Sequence, residues 1–126
     1  MTEKYVDKTG TEQKPNPMRD VYLEFPRAML AVAGVTAFGA KKHAPRGWRT
    51  FGSSYGMDYC MSKIGRHLLK LETEGPVNHE DGQLLHAAQV AWNALAYLEF
   101  YVRSLDEGDT TFAEEILAES EAQDAS

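Results

Sequence analysis

The stretch Glu74–Leu95, "EGPVNHEDGQLLHAAQVAWNAL", decides how this chain is read. Gly75-Pro76 stops whatever helix precedes it, since glycine suits a left-handed cap and proline cannot continue a helix. A long apolar helix follows. Leu84, Leu85, Ala88, Ala91, Trp92 and Leu95, continued by Leu98 and Val102, cover its main face. A helix this apolar is buried on most sides. His86, Gln89 and Asn93 interrupt it at steps of three and four, which stacks them on one line. Buried polar groups need partners. These three either bond to one another and to neighbouring helices, or they form a pocket wall. The helix is expected to start near Asn78 or His79, whose side chains can cap it, and to run to about Leu105.

Outward from that stretch, the chain reads as helices. Met57, Cys60, Met61, Ile64, Leu68 and Leu71 form an apolar stripe on a second helix, from about Ser54 to Glu74. Ahead of it, "APRGWRTFGSSYG" is a turn-rich, aromatic loop carrying Trp48, Phe51 and Tyr55, and loops of that length are often functional. The first helix spans Pro26 to about Lys42, with proline where a first turn tolerates it. Thr111 with Glu114 three residues later makes a capping box for a fourth helix. There is no internal repeat and no convincing strand. The expected fold is all-α: a compact four-helix bundle, one domain with an extended N-terminal arm. Its parts are an arm (1–24), a helical core (25–108), and a C-terminal helix with an acidic tail (109–126).

Composition bounds the function. A chain of 126 residues fits one domain, and its single cysteine, Cys60, excludes an internal disulfide and suits a reducing compartment. The start "MTEKYVDKTG" is polar and charged, unlike a signal peptide, and no apolar run approaches a membrane span. A cytoplasmic, soluble protein is expected. The net charge of −6 argues against general nucleic-acid binding, but the charge is segregated. Seven cations (Lys41, Lys42, Arg46, Arg49, Lys63, Arg66, Lys70) face one acid, Asp58, between Lys41 and Lys70. Such a basic middle suits a local anion site, although any single cation is as readily explained by solvation.

On the second helix, Lys63, Arg66, His67, Lys70 and Glu74 form a polar stripe beside the apolar one. Arg66 and His67 can turn toward the line of His86, Gln89 and Asn93. Glu72, Glu74, Glu80 and Asp81 gather at the junction of the second and third helices. There they can serve the helix dipole or hold a hard cation. No P-loop, GxGxxG, nucleophile elbow or HExxH spacing occurs, and one cysteine makes a thiolate zinc site implausible. Cys60 lies on the apolar stripe and reads as core.

Taken together, "FGAKKHAPRGW", "GRHLLKL", "HEDG" and "LLHAAQVAWNALAYLE" resemble a widespread phage-borne family, the dATP/dGTP diphosphohydrolase N-terminal domain. The resemblance runs from about Glu24 to Glu99 and rests on Gly39, Ala40, Lys42, Trp48, Arg66, His67, Glu80, Gly82, His86, Trp92 and Asn93. It implies an all-α nucleotide pyrophosphohydrolase similar to the MazG group, using Mg²⁺ or Mn²⁺ to neutralise a triphosphate and activate water. On that reading Glu74, Glu80 and Asp81 hold metal, and Glu80, Asp81 and His86 serve catalysis. Lys42, Arg46 and Arg66 meet phosphates and Trp48 or Trp92 stacks on the base, while Lys41, His43, His67, Gln89 and Asn93 complete the substrate site. The chain departs from the family pattern in three places. Helix one has no acid between Pro26 and Lys42, His43 replaces a tyrosine, and Gln89 stands where a second histidine is common.

Two functions follow. One is a metal-dependent enzyme converting a purine deoxynucleoside triphosphate to monophosphate and pyrophosphate. The other is a cofactor-free sponge that holds a host immune signalling nucleotide, such as a cyclic ADP-ribose isomer or a cyclic oligonucleotide, as an anti-defence protein. If phage-encoded, either would work in the host cytoplasm. The surplus apolar surface of the third helix points to a homo-oligomer, a homodimer by default.

Overall fold

The computed structural model describes residues 5, 6, 8, 10 and 12–107. Its contacts divide the chain into two units, Met1–Leu30 and Ala31–Ser126. The architecture is all-α, with only two-residue strands beside the helices. The expected fourth helix and tail lie outside the described residues. No helix among the described residues is long and apolar enough to cross a membrane.

In the first unit, β1 (Tyr5–Val6) pairs antiparallel with β2 (Glu12–Gln13). A π-helical turn follows at Met18–Tyr22, closed by the Leu23 amide donating to the Met18 carbonyl at 2.9 Å. Asn16 and Asp20 brace this turn. The Asn16 amide donates to Asp20 Oδ2 at 2.8 Å, and Asn16 Oδ1 accepts from the Arg19 amide at 3.0 Å. An extended arm was expected here; these local side-chain bonds give the backbone a tighter alternative.

The helix α1 (Pro26–Lys42) has the bounds expected of it, with Lys41 and Lys42 in its last turn, where cations favour the exposed carbonyls. A 3₁₀ turn, Gly47–Thr50, carries Trp48 and leads into α2 (Ser53–Glu74). Gly75, at φ 96°, ends α2 as the sequence predicts.

The third helix starts later than expected. Val77–Asn78 (β3) pairs with Leu84–Leu85 (β4), and α3 runs His86–Glu107. The turn between the strands has positive φ at Gly82 (62°) and Gln83 (65°), closed by the Leu84 amide on the Asp81 carbonyl at 3.1 Å. Two left-handed central residues match the twist of a hairpin. Gly82 is further constrained because a Cβ there would sit 2.7 Å from the Phe38 ring.

The core lies between α2 and α3, which run antiparallel: Ser53 meets Arg103 at one end and His67 meets His86 at the other. Ser53, Gly56, Cys60 and His67 face His86, Gln89, Asn93, Ala96 and Phe100. Gly56 permits the closest approach, since a Cβ there would fall 2.4 Å from the Phe100 ring. Trp48, Phe51, Met57, Trp92 and Tyr97 pack around Cys60, Ala96 and Phe100. From Ala31 onward, α1 reaches the others through long side chains: Trp92 Nε1 donates to Thr36 Oγ1 at 2.8 Å, and Lys42 reaches Asp81. Side-chain tethering of this kind leaves space between α1 and the α2–α3 pair.

Candidate functional site: a cationic, ring-lined cavity

That space is a cavity of about 400 Å³ between the end of α1, the 3₁₀ turn, α2, the hairpin and α3. Its volume lies in the range of small-molecule sites. The cations on its wall are Lys42, Arg46, Lys63 and Arg66, and among the described residues its lining contains a single carboxylate, Asp81. All four cations come from the basic middle of the sequence. The rings of Phe51, Tyr59, Trp48 and Trp92 supply the apolar side. Trp48 stands edge-on to Trp92 (centroids 5.2 Å) and to Phe100 (5.5 Å), an arrangement that fixes its plane.

Arg46 has φ 59°, in the left-handed region a non-glycine residue rarely adopts. The strain is local and the surrounding turn maintains it, with Arg49's amide donating to the Arg46 carbonyl at 3.1 Å. Arg103 clamps the same turn. Its Nη1 donates to the Arg49 carbonyl at 2.9 Å, Nη2 to the Phe51 carbonyl, and Nε to Ser53 Oγ at 2.9 Å.

Asp81 is the hub of the polar wall. Lys42 Nζ approaches Oδ1 at 3.2 Å, while Oδ2 accepts from Asn78 Nδ2 at 3.3 Å and Gln89 Nε2 at 3.4 Å. Burial works to raise its pKa, but the hydrogen bond and charge of Lys42, with the Gln89 bond, outweigh it and hold Asp81 below the ordinary carboxylate value. Asn78 Nδ2 also donates to Gln89 Oε1 at 3.0 Å, and Asn93 Nδ2 to the Gln89 carbonyl at 2.8 Å.

His67 and His86 meet through their Nδ1 atoms at 3.1 Å, both rings buried. In this contact one nitrogen donates and the other accepts. Burial first, then the charges of Arg66, His86 and Lys63, push the His67 pKa down to about 4. His67 lines the cavity; His86 does not, and its Nε2 is buried without a partner among the described residues.

Of the residues singled out in the sequence, Lys42, His43, Arg46, Trp48, Arg66, His67, Asp81, Gln89, Trp92 and Asn93 line this one cavity. Lys41, Glu74, Glu80 and His86 do not. Glu80 is turned to solvent and lies 3.6 Å from Lys70 Nζ. Sequence reasoning left Lys63 to solvent, yet it joins the wall at the helical spacing 63, 66, 67. Asn78, read as a cap, is a buried bridge. Cys60 is buried and its thiol pushed up to about 11, which keeps it protonated and inert.

Among the described residues, the carboxylates are not arranged as a ligand set for a divalent metal. Both Asp81 oxygens are already engaged by the protein's own donors, and no group of three His, Cys, Asp or Glu residues among the described ones could hold an ion. Glu74, Glu80 and Asp81 are thus not assembled into one ligand set.

The fold and the cavity define an all-α protein with a cationic, ring-lined cavity. A family model described as dATP/dGTP diphosphohydrolase, N-terminal, matches residues 7–110, and the chain belongs to that family. No curated protein and no solved structure matches it.

Proposed function

We propose that the cavity binds a purine nucleotide and holds it intact. The observation that carries this reading is the charge on the wall: four cations against one carboxylate that is already paired with Lys42. Charge-assisted hydrogen bonds from Lys42, Arg46, Lys63 and Arg66 suit phosphate oxygens, and the rings of Trp48 and Trp92 suit a base. Family membership supports a nucleotide as the ligand. It also keeps phosphoanhydride hydrolysis as the competing reading. Binding needs only what the wall offers, whereas hydrolysis needs a charge-neutralising group at the reacting phosphate, for which no free carboxylate set stands in this cavity among the described residues. Copies of the chain pair through the outer face of α3, where Leu95, Leu98 and Leu105 are exposed opposite the side packed on α2.

The test is capture against turnover. The protein is incubated with dATP, dGTP and, separately, cyclic signalling nucleotides in Mg²⁺ or Mn²⁺, then filtered and heat-denatured. Recovery of stoichiometric, unchanged nucleotide from the protein fraction is expected. Multiple-turnover release of monophosphate and pyrophosphate would establish the hydrolase instead.

A further inference from the structure

The hydrogen bonds on the cavity wall fix which way each amide points. The Gln89 main-chain carbonyl can only accept, so the Asn93 atom 2.8 Å from it must be Nδ2. The other end of the same wall is fixed likewise. An ionised Asp81 can only accept, so Gln89 presents Nε2 to it and Oε1 to Asn78 Nδ2. Asn78 in turn uses Oδ1 to accept the Glu80 amide at 3.2 Å. Asn78 and Gln89 are therefore spent on the protein, with orientations locked from both ends.

Asn93 is different. It is 6% exposed and lines the cavity, and no hydrogen bond to its Oδ1 occurs among the described residues. Nor is Oδ1 among the atoms sealed from solvent without a partner; only His86 Nε2 is. Asn93 lies on the face of α3 packed against α2, so what exposure Oδ1 keeps is toward the cavity. An unpaired carbonyl oxygen in a mostly enclosed site selects ligands that offer a hydrogen. Its neighbour Trp92 is held in place by Thr36, beside Trp48, which is where a base would stack rather than a phosphate. The four cations with their long side chains supply the phosphate end.

We infer that Asn93 Oδ1 reads the hydrogen-bond-donating edge of a purine, accepting from an exocyclic amine or ring N–H. This rests on the nucleotide reading above and deepens it by naming the residue that reads the base. Asn93 is a specificity-determining residue because its carbonyl cannot pair with a base edge that carries no hydrogen.

The experiment compares ligands on the same protein. Calorimetry is run with dATP, dGTP and the triphosphate of 2′-deoxynebularine, a purine whose six-membered ring carries neither amine nor N–H. The wild-type chain should bind the better of the first two at least tenfold more tightly than the nebularine nucleotide. In Asn93→Ala the preference should shrink to less than threefold, with helicity retained by circular dichroism. Equal wild-type affinity for all three would overturn the role of Asn93 while leaving the nucleotide site standing, and so would a preference that survives in Asn93→Ala. If that variant does not fold, the wild-type comparison decides alone. Failure of all three to bind would overturn the nucleotide reading itself, and this inference with it.

Discussion

Lys42 Nζ stands 3.2 Å from Asp81 Oδ1, so the last turn of α1 is tied to the hairpin that precedes α3. The pair closes one side of the cavity and neutralises the one carboxylate that lines it among the described residues. Asp81 therefore acts here as a brace for Lys42, Asn78 and Gln89. In Asp81→Asn, one acceptor oxygen remains and a negative charge leaves the cavity. Nucleotide affinity, measured by calorimetry, should stay within about threefold of wild type or rise. Chemical denaturation should show a loss of about 1 kcal/mol, as expected when a partly exposed, hydrogen-bonded ion pair is broken. A hundredfold fall in affinity would instead make Asp81 a direct ligand of metal or substrate.

Arg46 combines a functional charge with an unfavourable backbone conformation. Glycine adopts that conformation at little cost. Arg46→Gly should therefore weaken nucleotide binding about tenfold while leaving the thermal midpoint unchanged or raised. Loss of stability with unchanged affinity would show that the side chain serves the fold.

The His67–His86 contact makes the fold acid-sensitive. The folded His67 pKa is about 4, below the ordinary histidine value of 6.5, so the unfolded chain binds the extra proton between those limits. Stability is then fully present above pH 6.5 and is lost as pH falls toward 4, by up to roughly 3 kcal/mol from this one group. Asp81, also depressed, adds loss in the same direction at lower pH. Urea midpoints from pH 7.5 to 4.5 should decline, and His67→Gln should flatten the decline. A pH-independent midpoint would mean that the two rings are not held neutral together.

Gly56 lets the Phe100 ring lie against the backbone of α2. A methyl group there must displace that ring, since the contact would be 2.4 Å. Gly56→Ala should destabilise by about 1–3 kcal/mol in urea, the usual cost of overpacking a core. A neutral result would mean that α2 and α3 pack differently.

Helix boundaries were legible where punctuation is strong. Pro26 opens α1 and Gly75-Pro76 closes α2, because proline fixes its own φ and lacks an amide hydrogen, and Gly75 adopts φ 96° without a Cβ clash. The start of α3 was not. Asn78 and His79 are good capping residues, and Leu84 and Leu85 continue the apolar run, so the helical pattern extends back through a hairpin. Only Gly82, needed for a left-handed turn, signalled otherwise. Along α3, period alone aligned His86, Gln89 and Asn93, and all three are buried. Which of them meets the cavity depends on the partner each finds: His86 turns to His67 on α2, Gln89 to Asn78 and Asp81 of the hairpin, and Asn93 to the Gln89 carbonyl. The His67–His86 pairing joins residues 19 positions apart, which no local pattern encodes. Likewise, the acids of the α2–α3 junction look like a cluster in sequence, but the hairpin turn sends Glu80 toward Lys70 and Asp81 toward Lys42.

The outer face of α3 is predicted to join two copies. Light scattering at micromolar concentration should give at least a dimer of the 14.1 kDa chain, and Leu98→Glu should reduce it to monomer. A wild-type monomer would mean that this face is covered by other means.

On the proposed function, the wall's own cations hold the nucleotide without a metal. Calorimetric titration of the preferred purine nucleotide in excess EDTA, repeated in Mg²⁺, tests it most directly. Saturable binding is expected in both, with affinities within about threefold, and at least a tenfold loss in Arg66→Ala under either condition. Binding that appears only with Mg²⁺, accompanied by the continuing heat of turnover, would contradict it.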